Sequence, residues 1–308
     1  MEKLAYFFID DTIWCLRDIA RKKPKSIYDN AFFKMLKKGH DDYGMTVQLN
    51  LFYRTDFFYG DDEFTLKEMP DTYKKEFQEA SSWLRFAFHA KQEFPDYPYV
   101  NASYEDVKNN YEAIINEVKR FAGEECISDA FVPHWLPISK AGCQALHDCG
   151  VRVLSVTYGE REEYTGDESV LPYGHAARLL QNRKPETKLF TRNTKDARIK
   201  ASISAYNHLS AEQCAKIRWK NVSILDEGTG LRFKQLGGGP SLNSNTQEEI
   251  AKRLEELNGN EFIGTAVHEQ YFYPDYYNYI PDCAERYYLL GKILKEYGYR
   301  FITCDEIK

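Results

Sequence analysis

Several features that would assign a chain to a large functional class are missing from this sequence. No apolar segment approaches the roughly 20 residues needed to span a bilayer. No charged leader with a separate apolar stretch and cleavage site is present. Met1-Glu2-Lys3-Leu4 runs directly into strand-like sequence, so the expectation is a cytoplasmic protein without a membrane partner. Basic excess is absent too. Lys and Arg total 41 against 47 Asp and Glu, a net charge of −6. Nothing is left over to neutralise phosphates, which disfavours nucleic acid. The seven cysteines are odd in number, irregularly spaced and without a C-x-x-C, which fits reduced thiols rather than a disulfide framework. No internal repeat or low-complexity segment occurs. The turn-like Leu236-Gly237-Gly238-Gly239-Pro240 lacks the Lys-Ser/Thr and the G-x-G-x-x-G spacing of phosphate loops.

What remains is a chain of 308 residues, 43% hydrophobic and 29% charged. That supports one large domain or two smaller ones, and single α/β barrels commonly have this size. Aromatics reach 15%, with 23 tyrosines. Tyrosines beside a cleft contact sugars and other flat polar ligands, although most pack at the core edge with the hydroxyl in water.

The stretch Tyr6-Phe7-Phe8-Ile9-Asp10-Asp11-Thr12 reads as a buried strand running into two carboxylates. Buried carboxylates are costly unless paired or bound to a metal. Neighbouring strand residues face opposite ways, so the two acids need not share a task. The plainer alternative is that one of them caps the following helix. Helices are expected over about 12–21, 26–38, 67–80, 103–121, 139–149, 246–257 and 283–297. Strands are expected over 43–53, 84–89, 130–135, 151–158, 261–267 and 299–303, with strand-like pieces near 189–190 and 222–225. Residues 160–245 read as an elaborated insertion, with a helix at 210–218. Strand and helix in alternation imply a parallel sheet or barrel.

Four strand-like segments end in a reactive polar group: Asp10/Asp11, His89, His134 and His268. The chain has only seven histidines. In parallel α/β sheets and barrels the site forms at the strand C-termini. One carboxylate with two imidazoles suits a catalytic zinc that keeps an open position. A second carboxylate suits a general base, and a further histidine a general acid. For any one of these histidines alone a bond to a backbone carbonyl is the better explanation, but it is less attractive for three histidines and an Asp pair together. Glu93, four residues after His89, competes with His134 for the third metal position, although Pro95 argues against a regular helix there.

Phe8-Ile9-Asp10-Asp11-Thr12 resembles the first motif of the polysaccharide deacetylase superfamily of carbohydrate esterases. The resemblance implies a distorted (β/α) barrel, here of about seven parallel strands, as one domain over 1–308. It implies Asp10 as base and Asp11 as metal ligand. Phe86-Ala87-Phe88-His89-Ala90 resembles the second motif and makes His89 a ligand. Glu93 stands where the family's second histidine falls, and His134 then supplies the missing ligand. His134-Trp135 resembles the third motif, without its Arg-Pro-Pro-Tyr. Val267-His268 resembles the last, which makes His268 the general acid. The implied activity is metal-dependent deacetylation of an N-acetylated sugar or related amide or ester. The metal is zinc, or nickel, cobalt or iron in its place. Trp135, Tyr158, Tyr271 and Tyr273 would contact the carbohydrate or small acylated substrate. A glycoside hydrolase and a catalytically weak glycan-binding relative are the alternatives.

Overall fold

The computed structural model describes residues 2–55, 63–94, 98–99, 101–156, 173–174, 209 and 211–308. Its centre is strand β1 (Lys3–Thr12), which is buried along nearly its whole length. Parallel to it run β2 (Val47–Phe52), β10 (Phe262–His268) and β11 (Tyr299–Phe301), and β3 (Leu84–Ala90) lies parallel to β2. A second sheet has the order β4 (Ala130–Phe131), β6 (Val153–Ser155), β9 (Arg232–Lys234) and β8 (Ile224–Leu225). It is parallel except for β8. The short strands β5 (Pro137–Ile138) and β7 (Tyr173–Gly174) pair antiparallel. The fold is therefore α/β with a mainly parallel sheet, and single bridges such as Phe86–Ile127 continue the pairing beyond the named strands.

Period-2 alternation divides β1 between two cores. Ala5, Phe7 and Ile9 enter the large core beneath the helices. Leu4, Tyr6 and Phe8 enter a smaller core shared with Ala130, Val132, Val153, Leu236 and Phe262. A strand with apolar neighbours on both faces needs a continuous apolar run, which Tyr6 to Ile9 supply.

The helices follow their own signals. Helix α1 is Trp14–Lys22, α2 Ala31–Tyr43 and α3 Lys74–Ala80. Helix α4 (Tyr104–Phe121) starts on a capping box between Ser103 and Asp106 and buries Val107, Tyr111, Ile114, Ile115 and Val118. Helix α5 is Lys140–Asp148, α6 Ala211–Arg218, α7 Gln247–Leu257 and α8 Cys283–Glu296. The expected strand at 130–135 is only two residues long. The expected helix at 67–80 is two single 3₁₀ turns before α3. Strand β9 falls where the sequence analysis expects no strand, although Leu231-Arg232-Phe233-Lys234 alternates apolar and polar residues. Tyr158, the strand-like piece at 189–190 and most of the 160–245 insertion lie outside the described residues. Among the described residues no helix is long and apolar enough to cross a membrane. All seven cysteines are free thiols.

The glycine run gains a role here. A Cβ on Gly264 of β10 would sit 1.5 Å from the Leu236 carbonyl oxygen, and one on Gly239 would sit 2.8 Å from the Gly264 carbonyl oxygen. Only glycine at both places lets residues 236–242 lie against β10. Gly239 N–H donates to Gly264 O (2.8 Å) and Leu242 N–H to Ala266 O (3.0 Å). That path carries Asn243 to the end of β10.

Candidate metal centre and active site

β1 does not end as a regular strand. Its register with β2 shifts between Ile9 and Thr12, and Asp11 has φ +58°. Left-handed backbone at a non-glycine residue is uncommon, least so for Asp and Asn, and costs on the order of 1–3 kcal/mol. The expected alternation of the two acids therefore fails, because the break turns both towards the same histidine. Asp10 Oδ1 lies 3.9 Å from His89 Nδ1, and Asp11 Oδ1 lies 3.1 Å from His89 Nε2. Trp135 and Leu136 also have left-handed φ, of 59° and 79°. Of the four non-glycine residues with positive φ among those described, three line this one pocket. Strain concentrated in this way marks a functional site.

His89 ends β3 and His134 follows β4. The Nδ1–H of His89 donates to Val132 O at 2.7 Å, and the Nε2–H of His134 donates to Glu93 O at 2.9 Å. For neutral imidazoles those bonds fix the tautomers and leave lone pairs on His89 Nε2 and His134 Nδ1. The two nitrogens are 3.2 Å apart, and each is 3.1–3.2 Å from Asp11 Oδ1. Three buried acceptors thus face one another. Donors about 2.05 Å from a tetrahedral zinc would be about 3.3 Å apart, so the triangle fits a small divalent cation. Glu93 does not belong to this donor group.

The electrostatics also call for a cation. Burial works to raise the Asp11 carboxyl, but His268, His134 and His89 outweigh it and hold it well below the usual carboxylate range. Burial works to lower His134, but its contact with Asp11 prevails and pushes it up to about 9. Without a metal, the cluster draws a proton onto this imidazole.

The surrounding groups set the positions of the acids. Asp10 Oδ1 accepts from Asn50 Nδ2 (2.6 Å), Asn50 Oδ1 from Gln48 Nε2 (2.7 Å), and Gln48 Oε1 from Tyr6 and Ser128. This buried polar chain lies along β1 and β2, inside sequence that reads as plain strand. Asp11 Oδ2 accepts from Gln270 Nε2 at 3.0 Å. His268 Nε2 is 4.0 Å from Asp11 Oδ2, and its Nδ1 lies 3.4 Å from Asn243 Oδ1. The side chain of His268 is 40% exposed, so it reaches an incoming molecule.

Neither acid of β1 caps α1. Glu269 does so instead, from the turn after β10. Its carboxylate accepts from the backbone N–H groups of Ile13 (2.6 Å), Trp14 (2.8 Å) and Cys15 (2.7 Å). Burial nevertheless pushes this carboxyl up, against those bonds. The bond set ties the end of β1 to the end of β10 and so fixes Asp11 near His268. Nothing in the local sequence marks Glu269, because its partners are more than 250 positions away.

The site opens into a cavity of about 390 Å³ lined by Asp10, Asp11, His89, His134 and His268, together with Trp135 and Tyr271. Tyr273 points elsewhere. Its hydroxyl donates to Glu269 Oε1 (3.2 Å), and its ring packs edge-on against Trp14. Tyr276 and Tyr277 line the cavity in its place.

No protein-family model matches the sequence, and no curated protein is significantly similar to it. Solved structures are. Structures described as polysaccharide or carbohydrate deacetylases are among its structural neighbours. One neighbour is the Xyl-CE4 domain of a multidomain xylanase from the hindgut metagenome of Trinervitermes trinervoides, with 11% identity and a TM-score of 0.44, covering 100% of this chain and 90% of that one. Another is the carbohydrate deacetylase Agd3, with 9% identity and a TM-score of 0.46, covering 99% and 53%. The 4-α-glucanotransferase of Thermococcus litoralis gives a TM-score of 0.54 at 11% identity, covering 100% of this chain and 40% of that one. That likeness is one of fold.

Proposed function

We propose that the chain is a divalent-metal-dependent hydrolase that removes an acyl group, acetyl foremost, from an N-acylated sugar or a related amide or ester. On this reading residues 1–308 form a single distorted (β/α) barrel domain, with an insertion at about 160–245, working in the cytoplasm. The observation that carries the proposal is the triangle of lone pairs on Asp11, His89 and His134. These three residues would hold the ion, zinc first, with nickel, cobalt or iron as substitutes. When bound there, the ion supplies Lewis acidity, which acidifies water and polarises a carbonyl.

The chain's own residues do the rest. Asp10, held by Asn50, takes the proton of the attacking water. His268, oriented by Asn243, gives a proton to the departing nitrogen as the C–N bond breaks. The products are a carboxylate and a free amine. Trp135 and Tyr271 offer ring faces to the substrate and shield the acids from bulk water.

The test is hydrolysis of N-acetylglucosamine oligomers before and after chelation. Chelated protein is expected to lose turnover and to regain it with zinc. Asp10→Asn should retain the metal and lose at least about 100-fold in kcat. Turnover that survives chelation would sink the proposal in favour of glycoside hydrolysis. Saturable glycan binding without turnover at any metal loading would leave a binding protein.

A further inference from the structure

His268, Glu269 and Gln270 follow one another at the end of β10 and have different surroundings. His268 faces the cavity and Glu269 caps α1. Gln270 sits in the 3₁₀ turn Glu269–Phe272, is 3% exposed and lines the cavity. Its Nε2 donates to Asp11 Oδ2 at 3.0 Å and to Glu93 Oε2 at 3.1 Å. A side-chain amide has two N–H donors, so both are spent on carboxylates. Its Oε1 is buried and accepts no hydrogen bond. Leaving a buried acceptor unpaired is costly. The reversed amide would be worse, because it would set Oε1 against ionised carboxylates, which only accept. The two acids therefore fix which way this amide faces.

The oxygens of Asp11 thus have separate partners. Oδ1 lies 3.1 Å from His89 Nε2 and 3.2 Å from His134 Nδ1, inside the donor triangle. Oδ2 faces Gln270, with His268 Nε2 4.0 Å away. A carboxylate can ligate an ion through one oxygen or through both. With both, it takes up a position that a catalytic zinc keeps open for water or substrate. An amide bond on Oδ2 competes with that second contact, and the bond to Glu93 keeps the amide from turning away.

On the metal-dependent reading of the site, we propose that Gln270 is a positioning residue that confines Asp11 to ligation through Oδ1 alone. It thereby keeps one position free for water and the scissile carbonyl.

Two measurements test it, neither of which reads activity. In a crystal structure of the zinc-loaded protein, Asp11 Oδ1 should lie about 2.0–2.2 Å from the ion, while Oδ2 stays on Gln270 Nε2. Both oxygens at bonding distance would overturn the proposal, and that result needs no variant. In Gln270→Met, which keeps the length of the side chain and removes the amide, zinc affinity in competition with a chelator should fall about 10–100-fold. A merely structural role could produce the same loss, so the variant saturated with cobalt decides between them. Its visible absorption should be weaker than that of the cobalt-loaded parent, the mark of an added ligand as Oδ2 closes on the ion. A spectrum that matches the parent's, or gains intensity, would overturn the proposal whatever the affinity. Zinc held through Oδ1 alone in a protein that hydrolyses no acyl substrate would sink the hydrolase reading and leave the role of Gln270 standing. A protein that takes up no zinc would sink both.

Discussion

Two groups of ligating side chains lie in the described part of this molecule: Asp11, His89 and His134 in the cavity, and Asp129, Cys304 and Asp305 elsewhere on the chain. They differ in how charge is compensated. In the second group, Arg152 Nε donates to Asp129 Oδ2 (2.8 Å) and Arg85 Nη2 to Asp305 Oδ2 (2.7 Å). Burial and Asp129 push the Cys304 thiol up to about 12, so it stays protonated near neutrality. Arginines already serve as the cations there. In the first group, acceptors face acceptors, each imidazole spends its N–H on a backbone carbonyl, and no arginine or lysine among the described residues lines the cavity. Three ligating atoms close together therefore do not make a metal centre. A buried carboxylate with no arginine or lysine partner, beside two imidazoles oriented by backbone carbonyls, is the arrangement that suits a metal.

The strongest way to break this comparison is to alter the first group. Asp11→Asn, His89→Ala and His134→Ala should each reduce bound zinc by at least about tenfold and activity by at least about 100-fold, read by metal analysis and turnover. Full zinc content in any of them would remove that residue from the donor set.

Next in size is the clamp that supports the first group. Glu269→Ala leaves three buried N–H groups unpaired, at about 1 kcal/mol or more each. A loss of about 3 kcal/mol in urea unfolding is expected, together with weakened zinc binding as β1 loosens from β10. Unchanged stability would mean that α1 has another cap.

A third buried charge has neither arrangement. Lys234 Nζ donates to Ile217 O (2.8 Å) and Gln235 O (2.9 Å) and lies 3.7 Å from the centre of the Phe262 ring. Burial pulls its pKa down to about 7, only partly opposed by Glu261. Between pH 7 and about 10.4 the unfolded chain holds a proton that the folded chain has released, so stability rises with pH. The slope is about 1.4 kcal/mol per pH unit. Lys234→Met should be more stable than the parent at pH 7, with the advantage fading towards pH 10. Parallel pH profiles for the two proteins would refute a neutral buried lysine.

The smallest effect belongs to the arginine-compensated group. Asp129 and Arg152 are each about a third exposed. Asp129→Asn should cost roughly 0.5–1 kcal/mol and leave zinc content as in the parent. A drop in zinc there would show that the second group also holds metal.

Much of the fold follows from local chemistry. Tyr6 to Ile9 form a two-faced strand because the run is apolar in both phases, and α4 starts where Ser103 and Asp106 can bond each other's backbone. The polar strand ends at Asp10, Asp11, His89 and His268 could be read for the same reason, since pattern alone reveals where an apolar run stops. The clamp Glu269, the orienting Asn243 and the buried Gln48–Asn50 chain could not, because each depends on a partner far along the sequence. Tyr273 resembled a cavity residue by its position after His268, yet it turns inwards to Glu269.

The amino-acid sequence by itself set which chemistry is available at the strand ends: two adjacent acids and several imidazoles. Only the tertiary structure decided how they are used. The left-handed turn at Asp11 brings the second acid back beside the first, and the pair of left-handed residues after His134 accompanies that imidazole into the triangle. Once the Glu93 carbonyl fixes the tautomer of His134, the imidazole takes the third corner and the Glu93 carboxylate lines the cavity instead.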